Sequence, residues 1–275
     1  MDLYRMGRLF DSRSGRCLNV AVDHGLFGEP AFLKGIENMP AVIKVLASAH
    51  PDAIQLTRGQ APLLQGISGK EKPALVLRAD VANIYGNPMD SYLFSTHFPD
   101  AVIEAVRLDA CCVVVNLLHL EGRPQMRERC IETILALRSD CTRFGVPLMV
   151  EPLVMLERTG GYTGDGDTSK VVSLVRQARE LGADLIKADP TDEIASYHKV
   201  IEAAVVPVLV RGGSKVNDKE LLLRTHAVLE QGAAGVVYGR NIIQHEKPAG
   251  ITRAIMAILH EGTSVDESLR ILAAA

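Results

Sequence analysis

Leu181-Gly182-Ala183-Asp184-Leu185-Ile186-Lys187-Ala188-Asp189-Pro190 carries the pattern from which the fold is read. A glycine closes the helical segment before it, an apolar run too short for a helix follows, and the run breaks off in polar residues. The same junction recurs at Phe144-Gly145-Val146 and Gln231-Gly232-Ala233. Short runs of this kind cover 17–22, 53–56, 74–77, 111–115, 147–150, 183–186, 207–210 and 234–237, eight in all. Helical periodicity fills the intervals at 39–49, 99–107, 125–144, 168–181, 192–203, 218–231 and 248–261, with a weaker segment at 60–66. Eight βα units without a Pro/Gly/Ser linker predict an α/β fold, a single (β/α)8 TIM barrel formed by residues 1–275, and a 275-residue chain has the length for it. The competing arrangement is an open α/β sheet, which requires a reversal of strand order that a sequence does not display.

Composition limits what such a barrel serves. Hydrophobic residues make up 47% and charged residues 23%, and the net charge of -3 argues against a nucleic-acid surface while leaving room for a local basic pocket. No run approaches the roughly 18 apolar residues of a membrane span, and Met1-Asp2-Leu3-Tyr4-Arg5 carries charges where an export signal is apolar. The expectation is a cytoplasmic protein with no membrane partner. The five cysteines, Cys17, Cys111, Cys112, Cys130 and Cys141, are odd in number and lack CxxC or Cys/His spacing, so they read as reduced thiols.

In a barrel of this kind the chemistry lies at the C-terminal ends of the strands. Read in order, those ends are Asp23-His24-Gly25, Gln55 with Thr57-Arg58, Arg78 with Asp80, Asn116 with His119, Glu151-Pro152, Lys187-Ala188-Asp189, Arg211-Gly212-Gly213-Ser214-Lys215 and Gly239-Arg240-Asn241. Lys187 is the most telling of them. A lone ammonium in a buried strand is costly, so the lysine pairs, snorkels to solvent or sheds its proton. A neutral buried amine is a nucleophile that condenses with a carbonyl to a Schiff base. A lysine that only snorkels, or only meets Asp189, does not predict the acids, arginines and glycine turns that share its face. Gly212-Gly213-Ser214 and Gly239-Arg240 follow strands seven and eight, where many barrels hold phosphate on backbone N–H groups. Arg240, Arg211 or Lys215 supplies countercharge, while tight βα turns are the plainer explanation of the glycines.

These residues carry a family resemblance. Leu18-Asn19-Val20-Ala21-Val22-Asp23-His24-Gly25, Gly182 through Lys187, Pro207-Val208-Leu209-Val210-Arg211-Gly212-Gly213-Ser214-Lys215 and Gly232 through Ile242 together resemble the archaeal-type class I aldolases. That superfamily also holds the deoxyribose-phosphate, tagatose-bisphosphate and sulfofructose-phosphate aldolases. The likeness runs from about Arg8 to His260, and it implies a Schiff-base lyase with Lys187 at the lysine position and Asp23 beside the reacting carbons. It implies further that Gly212, Gly213, Ser214, Gly239 and Arg240 cradle a phosphate, that no cofactor takes part, and that the chain forms a homo-oligomer. One departure stands out: the fructose-bisphosphate branch carries Tyr-Pro-Arg-Gly after strand five, and here the stretch is Met149-Val150-Glu151-Pro152-Leu153-Val154. The glutamate is more like the tagatose-bisphosphate and sulfofructose-phosphate enzymes.

The chemistry also follows from the residues alone. An iminium on Lys187 draws electrons from the adjacent carbon–carbon bond, and a base removes the proton of the departing hydroxyl. Glu151 is assigned the proton transfer and Asp23 the orientation of hydroxyls, although the two can be exchanged. Arg211 either depresses the lysine pKa as a nearby cation or, with His24 and Arg78, binds the anionic end of the substrate. Of the phenols Tyr85, Tyr162 and Tyr238, Tyr162 is the one placed to donate, from a glycine-rich loop at 160–164 with the length of a lid. Two other functions compete with the aldolase acting on a phosphorylated carbonyl compound. One is a metal-dependent barrel enzyme built on His24, His119, Glu151 and Asp189, although no HxH or HxxxH spacing groups its histidines; the other is a non-catalytic sugar-phosphate-binding protein.

Overall fold

The computed structural model describes residues 3–69, 71–85, 93–159 and 161–275. Eight parallel strands, Cys17–Ala21, Ala53–Leu56, Ala74–Arg78, Ala110–Leu120, Leu148–Arg158, Leu185–Ala188, Val208–Arg211 and Gly235–Tyr238, pair each with the next. The eighth returns to the first through the register Cys17↔Gly235 to Val20↔Tyr238, so the sheet closes into the expected (β/α)8 TIM barrel and not an open sheet. Helices lie between the strands, and side chains cap their N-termini: Asn38, Asp167, Asn217 and Ser264 each accept a backbone N–H three residues on. Gly145, at φ 64°, closes the long helix Pro124–Phe144 in the left-handed conformation that only glycine adopts without cost.

Strand parity sorts the core into two layers. Ile54, Leu75, Leu77, Val113, Val150, Ile186, Val208, Val210 and Val236 face the surrounding helices in one continuous cluster. Their neighbours Ala53, Ala74, Val76, Cys112, Val114, Met149, Leu185, Leu209 and Val237 fill the barrel interior. Successive residues of a strand point to opposite faces, so the next inward position on each strand is fixed: Asp23, Gln55, Arg78, Asn116, Glu151, Lys187, Arg211 and Gly239. The apolar filling thus ends in one polar layer at the C-terminal rim.

The opposite end is closed by the helix Leu3–Leu9, whose Met6 and Leu9 join the interior cluster. There His260 Nε2 lies 3.1 Å from Asp52 Oδ2, its Nδ1 lies 2.7 Å from Ser14 Oγ, and Asp52 also accepts the Leu18 N–H. The C-terminal helix Val265–Ala273 packs on Asp218–Glu230 and Pro248–Met256, against its own barrel. All five cysteines are buried and unpaired.

Several boundaries differ from the sequence reading. The fourth and fifth strands run on well past 115 and 150, pairing as far as Leu120↔Met155, and rise above the rim as a ribbon. Residues 161–164 of the supposed lid loop form a strand, Gly161–Gly164, antiparallel to 155–158, while Gly160 lies outside the described residues. The segment 192–203 is not one helix. It is a short 3-10 turn, Ile194–Ser196, then a helix His198–Ala204, because Thr191 and Ser196 hydroxyls donate to the Glu193 carbonyl and hold a turn. The helix expected at 248–261 widens at Ala257–Glu261 and stops at Gly262, φ 67°. Among the described residues, no helix is long and apolar enough to cross a membrane.

Candidate active site

Lys187 stands in the middle of the sixth strand, and inward parity sends its side chain into the closed barrel, where the residue is 4% exposed. The register that pairs Met149 with Leu185 sets Glu151, two residues on, beside Lys187. Lys187 Nζ lies 2.9 Å from Glu151 Oε1, so the amine meets Glu151 and not Asp189. Burial is the leading cause that holds the lysine below its ordinary pKa; Glu151 and Asp23 pull it up, and the Arg78 and Arg211 cations push it further down.

Arg78 organises the acids. Only 1% exposed, it donates from Nε to Asp23 Oδ2 at 2.8 Å, from Nη1 to Asp80 Oδ1 at 3.2 Å and from Nη2 to Glu151 Oε2 at 2.6 Å. Each nitrogen of its guanidinium donates to a carboxylate, so Arg78 positions the three acids while it lines the cavity. Asp80 is held in turn by the backbone N–H and Nδ2 of Asn116, at 2.9 and 2.8 Å. Asp23 Oδ2 also accepts Gln55 Nε2 at 2.7 Å.

Burial raises the pKa of both Glu151 and Asp23, and the cations more than offset it. Lys187, Arg78 and Arg211 bring Glu151 down to about 2. Arg78 and Lys187 hold Asp23 well below the usual carboxylate range. Both are ionised at neutral pH. Arg211 reaches Glu151 Oε1 with Nε at 3.3 Å, Asp189 with Nη1 at 2.9 Å, and the Tyr85 hydroxyl with Nη2 at 3.2 Å.

Asp23, His24, Arg78, Glu151, Lys187, Arg211, Gly212, Gly213, Gly239 and Arg240 line one cavity. Ser214 does not. It lines a wider outer cleft that shares Phe32, Tyr85, Arg211, Gly213 and Arg240 with the inner cavity. The glycines are there for space: a Cβ on Gly239 would sit 2.3 Å from His24 Cε1, and one on Gly212 would sit 3.0 Å from the Tyr238 ring. Arg240 donates from Nη2 to the Gly213 carbonyl at 3.2 Å and lies 5.3 Å above the Phe32 ring. Burial lowers the His24 pKa to about 4, so its imidazole is neutral, and its buried Nδ1 has no partner among the described residues.

Three side chains weighed in the sequence lie outside the inner cavity. His119 lies on the raised part of the fourth strand, beside Arg127 at 3.3 Å and in a separate pocket with Lys170, so it is not brought together with His24, Glu151 and Asp189. The Tyr162 hydroxyl donates to the Glu121 carbonyl at 3.0 Å, and Tyr162 lines the outer cleft but not the inner cavity. Tyr238 points into the helical layer, where its hydroxyl lies 2.9 Å from Thr225 Oγ1. The residue the sequence reading passes over is Tyr85, together with the aromatic roof of Phe27 and Phe32, each 5.2 Å from the Tyr85 ring centre. They sit on loops, where strand parity gives no signal.

The pattern of the DeoC/LacD family aldolases matches residues 17–245. An uncharacterized aldolase of Saccharolobus solfataricus is 36% identical over 274 residues, covering 98% of this chain and 97% of its own. A 3-hydroxy-5-phosphonooxypentane-2,4-dione thiolase of Yersinia pestis is 30% identical over 265 residues, covering 94% of this chain and 81% of its own. Among solved structures, an archaeal fructose-1,6-bisphosphate aldolase with its catalytic lysine covalently bound to the carbinolamine intermediate is similar at TM-score 0.78 and 26% identity, covering 94% of this chain and 100% of that one.

Proposed function

Because the chain belongs to the DeoC/LacD family of aldolases, we propose that it cleaves or forms a carbon–carbon bond in a phosphorylated carbonyl compound through a Schiff base on Lys187. The observation that carries this reading is the amine itself, buried in the barrel, held below its ordinary pKa and 2.9 Å from Glu151. Lys187 Nζ, once deprotonated, adds to the substrate carbonyl, and loss of water leaves an iminium. The electron pair of the adjacent carbon–carbon bond then moves toward that nitrogen, giving an enamine. The departing carbon becomes an aldehyde as its hydroxyl proton passes to Glu151.

Glu151 suits that part through its dependence on the lysine. Burial raises its pKa, and among the cations that bring it down Lys187 is the leading one. As cleavage turns the cationic iminium into a neutral enamine that positive charge is lost, and the carboxylate becomes a stronger base as it takes the proton. Asp23, fixed through Oδ2 by Arg78 and Gln55, orients substrate hydroxyls. The phosphate lies between the Gly212-Gly213 and Gly239-Arg240 turns, with Arg240 as countercharge. The names of the relatives support the substrate class, since fructose 1,6-bisphosphate and 3-hydroxy-5-phosphonooxypentane-2,4-dione are both phosphorylated carbonyl compounds.

The test is aldehyde release from a panel of ketose phosphates. The wild-type chain turns over at least one of them, and Lys187→Met, with its circular dichroism unchanged, falls to background. Undiminished turnover by Lys187→Met contradicts the Schiff base. Thermal stabilisation by the panel without any turnover points to a binding protein instead.

A further inference from the structure

One proton transfer remains to be assigned: the enamine carbon must be protonated before hydrolysis can free the lysine, and Glu151, which takes the hydroxyl proton in cleavage, is one candidate donor. Before cleavage Glu151 and Asp23 are both ionised at neutral pH, and the His24 imidazole is held neutral with a pKa of about 4. Arg78, paired with three carboxylates, keeps its proton. The stretch Met149-Val150-Glu151-Pro152-Leu153-Val154 on strand five holds no tyrosine.

A phenol reaches the cavity from a different element. Tyr85 follows the short antiparallel ribbon of Asp80–Ala82 with Ser95–His97, lines the same cavity as Lys187, and is wedged between Phe27 and Phe32. Arg211 Nη2 donates to the phenol oxygen at 3.2 Å, while Arg211 Nε lies 3.3 Å from the Glu151 oxygen that holds Lys187. One guanidinium therefore ties the phenol and the lysine–glutamate pair into a single constellation. Because the phenol oxygen is the acceptor in its bond with Arg211, its own proton is left to donate, and among the described residues it has no acceptor. Burial raises the pKa of this phenol, and the Arg211 cation beside it offsets part of the cost of the phenolate that donation leaves behind.

We propose that Tyr85 is the acid that protonates the enamine carbon, an inference that rests on the Schiff-base reading of Lys187. In this step the phenol O–H breaks and a C–H bond forms, and the enamine pair returns to carbon as the iminium is regenerated. Tyr85 becomes a phenolate beside Arg211. Water then hydrolyses the iminium, and the proton collected by Glu151 during cleavage passes back to Tyr85 through the cavity.

The proposal separates two half-reactions that can be read independently. With dihydroxyacetone phosphate and further phosphorylated ketones as probes in heavy water, the wild-type chain is trapped by borohydride at Lys187 and also exchanges ketone α-hydrogens for deuterium. Tyr85→Phe keeps the aromatic roof and the trapping, but its α-exchange falls by about 10²–10⁴-fold, the scale of a lost general acid. Exchange at the wild-type rate in Tyr85→Phe overturns the proposal. Loss of trapping together with exchange also overturns it, since Tyr85 would then serve binding or packing. A wild-type chain that is neither trapped nor exchanges with any probe removes the Schiff-base reading, and the proposal goes with it.

Discussion

At the scale of single residues, the site depends on Arg78 as much as on Lys187. A guanidinium that is 1% exposed holds Asp23, Asp80 and Glu151 through separate nitrogens. Removing one partner of such a cluster leaves buried charge uncompensated, and Arg78→Met is expected to lower unfolding free energy by about 3–5 kcal/mol in a denaturant titration. A change within the few tenths typical of a surface substitution would show that the three carboxylates do not depend on it. His24 supplies the pH dependence. Burial lowers its pKa in the fold from 6.5 to about 4, so between these values the unfolded chain binds the additional proton. Stability from this group is complete above pH 6.5 and declines as the pH falls toward 4. Unfolding measured across that window should show a shallower decline in His24→Gln than in the wild type; equal slopes would contradict the buried neutral imidazole.

At the scale of elements, the eighth strand separates folding from function at its two ends. Gly235, at φ 145°, faces Cys17 so closely that a Cβ would lie 2.0 Å from the Cys17 carbonyl oxygen, at the register where the barrel closes. Gly235→Ala should cost at least about 1–3 kcal/mol, the usual scale of overpacking, and show in the melting temperature. Gly239→Ala instead drives a methyl into the His24 ring, and is expected to weaken substrate binding, read as a raised KM, with far less effect on melting. The reverse ranking would contradict this division of labour. Elements also explain what the sequence discloses. The eight strands were legible because each is a short apolar run punctuated by turn residues. Glu151, Lys187 and Arg211 were legible because each breaks an otherwise apolar strand. The raised ribbon of the fourth and fifth strands was not, since His119 and Glu157 are polar and end the apolar runs in composition, whereas pairing across Leu120↔Met155 sustains the strands. Tyr85 escaped because its place depends on loop packing against Phe27 and Phe32, which has no period.

At the scale of the whole molecule, the barrel keeps its packing at one end and its chemistry at the other. Leu9, fully buried in the plug below the interior cluster, is far along the axis from the polar rim. Leu9→Ala should destabilise by about 2–5 kcal/mol while the folded protein keeps its kcat, measured well below its melting temperature. A proportionate loss of kcat would mean that the two ends are not independent. The central claim concerns the rim, and reduction with borohydride in the presence of a phosphorylated ketone tests it most directly. Trypsin cuts after Arg179, Lys187 and Lys199. A reduced adduct on Lys187 blocks the middle cut, so peptide mass spectrometry should find residues 180–199 joined and heavier by the reduced ketone. Cleavage at Lys187 as in the untreated chain, or an adduct on a different lysine such as Lys170 or Lys215, would contradict the account.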